Sequence, residues 1–282
     1  MAAVTLTRSA RLAAALLCST ALLGTGAVAA SANEARARAS VIGGSAASLQ
    51  EWGFTAAVIP PNTLCTGIVL SPVKVLTAAH CAGDPSRLVV RTNSTSAFAG
   101  GEVSSVSSAA IAPGFAGGFR NDLAMLTLTI PTTATPIQLA GAAEDAAYTQ
   151  VGASLSVAGF GNRNPLLGRQ KVGTLTTAGV RVRRCPLPAW AICDSGGRAG
   201  TVVRRLGGRI VRRKVKSAVC SGDSGGPLVA RTPAGPRLIG IAEASAGPRK
   251  PNPFYFVICG LKGFPSLHSR ASSYLDFIQG NL

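Results

Sequence analysis

The sequence predicts an all-β chain closed by one short helix. Three observations carry that expectation. Short apolar runs recur along the chain, among them FTAAVI, TGIVLS, KVLTAA, RLVVRT, LAMLTLTI, SLSVAGF, PLVAR and RLIGIA, with Gly, Pro, Asn and Ser marking many of their ends. Helical spacing appears only near the end, where ASSYLDFIQG sets Tyr274, Phe277 and Ile278 on one face. The 282 residues are 47% hydrophobic, with 33 glycines and 17 prolines, enough for a sizeable core and for many turns. Many short strands with frequent turns imply a sandwich or a barrel. The same apolar content argues against a disordered chain.

From the N-terminus, Arg8 and Arg11 precede an uncharged run, Leu12 to Ala30, with Ala27 and Ala29 flanking Val28. Residues 1–30 read as a secretory signal peptide. The run is nearly long enough to span a bilayer, so a retained anchor is the alternative. The A-x-A pattern and the break in hydrophobicity after Leu23 favour removal. Cys18 is not read as a lipid attachment, because bulky Leu17 stands where a small residue is needed. Residues 31–40, SANEARARAS, read as a short pro-segment, and the strand-like texture begins at Val41.

Export changes the meaning of the cysteines. Seven less Cys18 leaves six: Cys65, Cys81, Cys185, Cys193, Cys220 and Cys259. An even number in an oxidising compartment implies three disulfides, for which order alone leaves about 15 pairings. With no CxxC pair and two histidines, a structural zinc site is disfavoured.

Charge is lopsided, with 28 Lys plus Arg against 11 Asp plus Glu, a net +17. Taking away two for Arg8 and Arg11, and one for the segment 31–40, leaves +14 on the remainder. The surplus concentrates between Arg181 and Lys216, where eleven basic residues face one acid, Asp194. That region reads as an exposed insertion or long loop. Such a patch is either a solvated face or a binding surface for anionic polysaccharide, cell wall or membrane. Nucleic acid is disfavoured, since Trp190 is the one stacking aromatic nearby.

Two serines compete for a chemical role. CSGDSGGPLV, Cys220 to Val229, contains Ser224, and CDSGGR, Cys193 to Arg198, contains Ser195. A nucleophilic serine needs a base, an acid that orients the base, and donors for the developing oxyanion. The base must be His80, in LTAAHC, or His268, in PSLHSR. His268 reads as a structural or surface histidine. His80 is singled out by its surroundings.

CTGIVLSPVKVLTAAHC closely resembles the segment around the catalytic histidine of trypsin-like (chymotrypsin-fold) serine proteases. NDLAML, Asn121 to Leu126, resembles the segment around their aspartate, and CSGDSGGPLV their nucleophile segment. VIGG (41–44), VAGFG (157–161) and SRASSYLDFI resemble the mature N-terminus, an internal stretch and the final strand and helix. The order His, Asp, Ser is that family's order. The resemblance covers residues 41–282.

The resemblance implies two six-stranded antiparallel β-barrels packed face to face with a C-terminal helix, an N-terminal barrel of about 41–135 and a C-terminal one of about 146–282. It implies a secreted serine endopeptidase with Ser224 as nucleophile, His80 as general base and then acid, and Asp122 orienting His80. Ser195 is set aside because CDSGGR lacks the preceding Gly and the following Pro-Leu-Val. Backbone N–H groups of Gly222 and Ser224 would form the oxyanion hole. Asp223 would receive the α-amino group of Val41 once the preceding bond is cut. Here the residue before Val41 is Ser40, where the family has Arg or Lys, and Arg38 lies two residues early. Cutting by another protease, or trimming after cleavage at Arg38, would release Val41.

By the same resemblance the disulfides are Cys65–Cys81, Cys220–Cys259 and Cys185–Cys193. Ala218 occupies the floor of the specificity pocket and Ser266 a wall, which implies a preference for small or medium apolar side chains. The family's Ser-Trp-Gly stretch is replaced within EASAGPRKPNPFYFVIC, where the resemblance does not place Glu243 and Ser245. An acid at the pocket mouth would restore affinity for basic substrates. The partners implied are protein or peptide substrates. No metal or organic cofactor is implied, and the chain is expected to act as a monomer.

Overall fold

The computed structural model describes residues 41–163, 172–206, 209–245, 259–260 and 265–282. They belong to one compact unit, Ala32–Leu282. The expected signal peptide and pro-segment lie outside the described residues.

A two-residue strand, β1 (Ser45–Ala46), and a one-turn helix, α1 (Leu49–Trp52), lead in. The side chain of Ser48 caps α1 by accepting from Glu51 N. Six strands follow: β2 (Thr55–Ile59), β3 (Cys65–Ser71), β4 (Lys74–Thr77), β5 (Val89–Thr92), β6 (Glu102–Ile111) and β7 (Ala124–Leu128). They close into an antiparallel barrel in the order β2-β3-β4-β7-β6-β5, with β5 returning to β2 through Ala57↔Arg91. The one-turn helix α2 (Ala79–Ala82) follows β4.

β8 (Gln138–Leu139) and α3 (Ala142–Tyr148) carry the chain across. The second barrel uses β9 (Ser154–Gly159), β10 (Thr176–Arg183), β11 (Ala191–Gly196), β14 (Pro227–Thr232), β15 (Gly235–Ser245) and β16 (Ser266–Arg270). Its order is β9-β10-β11-β16-β15-β14, and β14 returns to β9 through Leu228↔Val157. β1 pairs with β10 of this barrel, Ser45 opposite Thr177. A 3-10 turn and α4 (Leu275–Gln279) end the chain.

The near-continuous apolar runs have a packing reason. In β2, Ala56 and Val58 join the first barrel's interior with Val69, Val75, Val90 and Leu126. Ala57 turns the other way, into a cluster that combines Trp52, Ile68, Leu76 and Met125 with Phe160, Leu238 and Ile278. Both faces of such a strand are buried, so alternation disappears from its sequence. On β10, Val180 and Val182 are buried while Arg181 and Arg183 are exposed, and alternation returns. Burying each Leu or Val contributes roughly 1.5–3 kcal/mol.

The expected basic loop is instead largely strand. Its second half is a two-stranded antiparallel hairpin, β12 (Arg198–Leu206) and β13 (Arg209–Lys216), paired from Arg198↔Lys216 to Leu206↔Arg209. The physical reason is the β-branched content of TVVRR and RIVRRKVK, which suits a ribbon better than a coil. At its base Val215 is buried with Ile42, Cys220 and Cys259.

Candidate active site

Three elements converge between the barrels. β4 delivers the chain into α2, and the Cys65–Cys81 disulfide, with a Cα–Cα distance of 6.2 Å, pins α2 to β3. The Thr77 hydroxyl donates to Thr66 O (2.8 Å) across the same corner. His80 therefore leaves the first turn of α2 from a fixed backbone. Asp122 lies two residues before β7, after Asn121, whose backbone is left-handed at φ 59°. Asn121 is held by its own side chain, which donates to Pro113 O (2.9 Å). Asp122 is almost fully buried and accepts twice from one residue: the His80 backbone N–H reaches Oδ1 (2.9 Å) and the ring Nδ1 reaches Oδ2 (2.6 Å). With Asp122 ionised this network assigns the ring proton to Nδ1 and leaves Nε2 as an acceptor. The His80 ring is 42% exposed, so Nε2 is open to a reactant.

Ser224 lies in the turn that precedes β14. The turn is closed by Asp223 N donating to Cys220 O and Gly226 N to Asp223 O, both 2.9 Å. Gly222 and Gly225 take φ values of 97° and 82°, which side chains resist. A Cβ on Gly225 would collide with Thr66 and Thr77, so only glycine lets the turn press against β3 and β4. The turn is sewn to the first barrel by Thr66, whose N–H donates to Ser224 O and whose hydroxyl donates to Gly222 O, both at 2.8 Å. The N–H groups of Gly222 and Ser224 have no acceptor among the described residues, while Gly225 N–H donates to Ala242 O (2.6 Å). The Ser224 hydroxyl donates to the backbone carbonyl of Glu243 (3.1 Å).

Asp223 is fully buried and accepts from Gly161 N (2.8 Å) and Cys220 N (2.9 Å). Burial pushes its carboxyl up to about 7, against those two hydrogen bonds, which pull it down. Val41 is buried too, but its N–H donates to Thr176 Oγ1 (2.6 Å), so Val41 and Asp223 make no ion pair here. The next residue, Ile42, bridges to Ala218 by donating to its carbonyl (3.2 Å).

The six expected cysteines pair as Cys65–Cys81, Cys185–Cys193 and Cys220–Cys259. Cys65, Cys81 and His80 cluster closely, but the disulfide takes both sulfurs out of metal chemistry. Ala218 is buried, and the N–H of the next residue, Val219, donates to Ser266 Oγ (3.3 Å). Residues 246–258 lie outside the described residues. Ser195 sits on β11, where its hydroxyl accepts from Arg183 Nε (2.8 Å), a cation that cannot serve it as a base.

Two features escaped the sequence. His268 is fully buried, with Nε2 2.6 Å from Asp194 Oδ2 on the neighbouring strand. Glu243, unplaced by any motif, is buried beside Asp122, and the Asp122 charge adds to the burial that pushes its carboxyl up to about 8. No short sequence pattern announces either, because each depends on strand register.

A family model described as Trypsin matches residues 41–264. Among curated proteins the chain is 30% identical over 246 residues to "Trypsin" of Saccharopolyspora erythraea, covering 84% of this chain and 96% of that one. It is also 30% identical over 260 residues to "Trypsin, alkaline B" of Manduca sexta (86% and 90% covered). "Trypsin 5G1" of Aedes aegypti is 26% identical over 256 residues (88% and 86% covered). Two closed six-stranded barrels, a match that spans most of the chain, and relatives covered nearly end to end lead to one conclusion. The chain belongs to the trypsin family and is a serine-type endopeptidase that hydrolyses protein or peptide substrates.

Proposed function

We propose that hydrolysis runs through Ser224, His80 and Asp122 as a catalytic triad. The observation that carries this reading is the double acceptance by Asp122 of His80 N–H and Nδ1, which fixes the ring and its tautomer. In the free chain the Ser224 hydroxyl rests on Glu243 O, and the reading requires it to leave that carbonyl for His80 Nε2. His80 takes the hydroxyl proton as Ser224 attacks the carbonyl carbon, and returns it to the leaving amine. Water then attacks the acyl-enzyme by the same route reversed. The unsatisfied N–H groups of Gly222 and Ser224 are the donors for the oxyanion, and losing one such donor costs roughly 10²–10³ in turnover.

Activation follows from Asp223. While Val41 is joined to Ser40 its nitrogen is a neutral amide bonded to Thr176. Cleavage at that bond would create an ammonium, and the buried Asp223 carboxylate is the partner that would draw it in. Residues 1–30 direct export, and residues 31–40 are removed afterwards. Small or medium apolar side chains before the scissile bond suit Ala218 and Ser266. The basic ribbon β12–β13 offers anionic polysaccharide or membrane a surface; nucleic acid is not the partner proposed.

The test is a fluorophosphonate probe on the chain cut at Val41, with the adduct mapped by mass spectrometry. Labelling at Ser224 that His80→Ala abolishes is expected. No adduct on correctly processed protein would overturn the triad.

A further inference from the structure

β15 carries an irregularity at one residue. Ala242 pairs with His268 and Ala244 with the adjacent Leu267, so Glu243 is the extra residue of a β-bulge. A bulge re-aims the side chain it releases. Here the backbone carbonyl turns to the Ser224 hydroxyl, and the carboxyl group turns into the protein beside Asp122. Glu243 is 3% exposed and Asp122 2%. Two buried carboxyl groups thus lie together, and His80 donates to one of them, Asp122.

Their surroundings differ sharply. Asp122 accepts from both donors of His80. Glu243 accepts at Oε1 from the Ser269 hydroxyl, and Oε2 has no hydrogen-bond partner among the described residues. The network behind it has one consistent direction. Asn121 N–H donates to the Tyr274 oxygen (3.2 Å), Tyr274 hydrogen-bonds with Ser269, and Ser269 donates to Glu243. The remaining charge that faces this cluster among the described residues is Arg120, which acts on Tyr274 and is exposed. None of these groups neutralises a Glu243 carboxylate, whereas Asp122 accepts two hydrogen bonds from His80. When environments separate two carboxyl groups this way, the poorly satisfied one holds the proton.

We propose that Glu243 is a positioning residue that acts through Asp122: it carries the proton that keeps this buried carboxyl pair at one negative charge, and its ionisation is coupled to that of His80. The proposal rests on reading His80 as the base. A second negative charge behind Asp122 favours a proton on His80, so the two groups release protons as a coupled pair over a wider range than one site. In Glu243→Gln the carboxyl charge cannot form, so any effect of that charge on His80 is lost.

The chain contains five glutamates, which makes carbon-13 labelling of the glutamate carboxyl a direct readout. One carboxyl resonance is expected to titrate near pH 8, where burial and Asp122 push Glu243, and to vanish in Glu243→Gln. The His80 ring resonances should carry a second inflection at the same pH, also lost in that variant. In kcat/KM the rise with pH should stretch past the Glu243 midpoint in the wild type and follow a single site in Glu243→Gln. All glutamates titrating in the ordinary range, or His80 resonances blind to Glu243, would overturn the proposal, and the wild-type titration suffices to decide this should the variant fold poorly. If the two titrations are coupled but Ser224 takes no fluorophosphonate, the triad reading fails and the coupling stands.

Discussion

Asp122 and Asp223 are both buried carboxyl groups in contact with backbone donors, yet they answer to different partners. Asp122 faces His80, and Asp122→Asn should leave the geometry in place while offering the wrong hydrogen-bond sense to Nδ1. A loss of kcat of about 10⁴, measured on a chromogenic ester, is expected. Asp223 has no cation while Val41 is an amide. Its folded-state value lies near 7 against an ordinary 3.8, so between those values the folded protein holds more protons than the unfolded one. Stability of the uncut chain should therefore fall as pH rises through that window, by on the order of a few kcal/mol in all. Urea titrations at several pH values should show the slope, and Asp223→Asn should flatten it. Release of Val41 should restore stability above pH 7. At this scale the sequence nominated His80, Asp122, Asp223 and Ser224, because each stands in a contiguous motif that resembles the family's. Glu243 was silent. Its role depends on a bulge between Ala242 and Ala244, and a register shift leaves no mark in the string EAS.

Among the elements, the ribbon β12–β13 departs furthest from the sequence reading. Composition reveals its charge, and a dense basic run suggests a loop, although the β-branched residues among the basic ones favour strand. Arg212 and Lys214 are exposed on β13, two residues apart and so on one face. Replacing both with serine should lower the salt concentration at which the protein leaves a sulfated polysaccharide column, with turnover of a small peptide unchanged. Equal retention would mean that the ribbon is only a solvated face. The Cys220–Cys259 disulfide, across a separation of 39 residues, holds the nucleophile turn to Gly260, whose carbonyl accepts from Lys216 N (2.7 Å). Replacing both cysteines with serine should cost about 3–4 kcal/mol in a denaturant titration.

For the molecule as a whole, short punctuated runs were enough to read strands, and the family resemblance supplied the closure into two barrels. What no run could reveal was which barrel a segment serves. Leu126 lies inside the first barrel while its neighbour Met125 faces the shared cluster. Both read alike in the sequence because both are buried. Leu126→Ala should cost about 2–5 kcal/mol, seen as a lower thermal midpoint.

The pairing of β1 also bears on synthesis. Ser45 and Ala46 are made early, but their partners Thr177 and Thr176 emerge more than 120 residues later. Until then the start of the folded unit is an unpaired edge waiting for a template. A product that stops short of Thr176 keeps that edge for good, together with an apolar face meant for Leu238 and Ile278. Prematurely terminated chains should therefore stick to one another and be cleared, whereas the finished chain closes its own beginning.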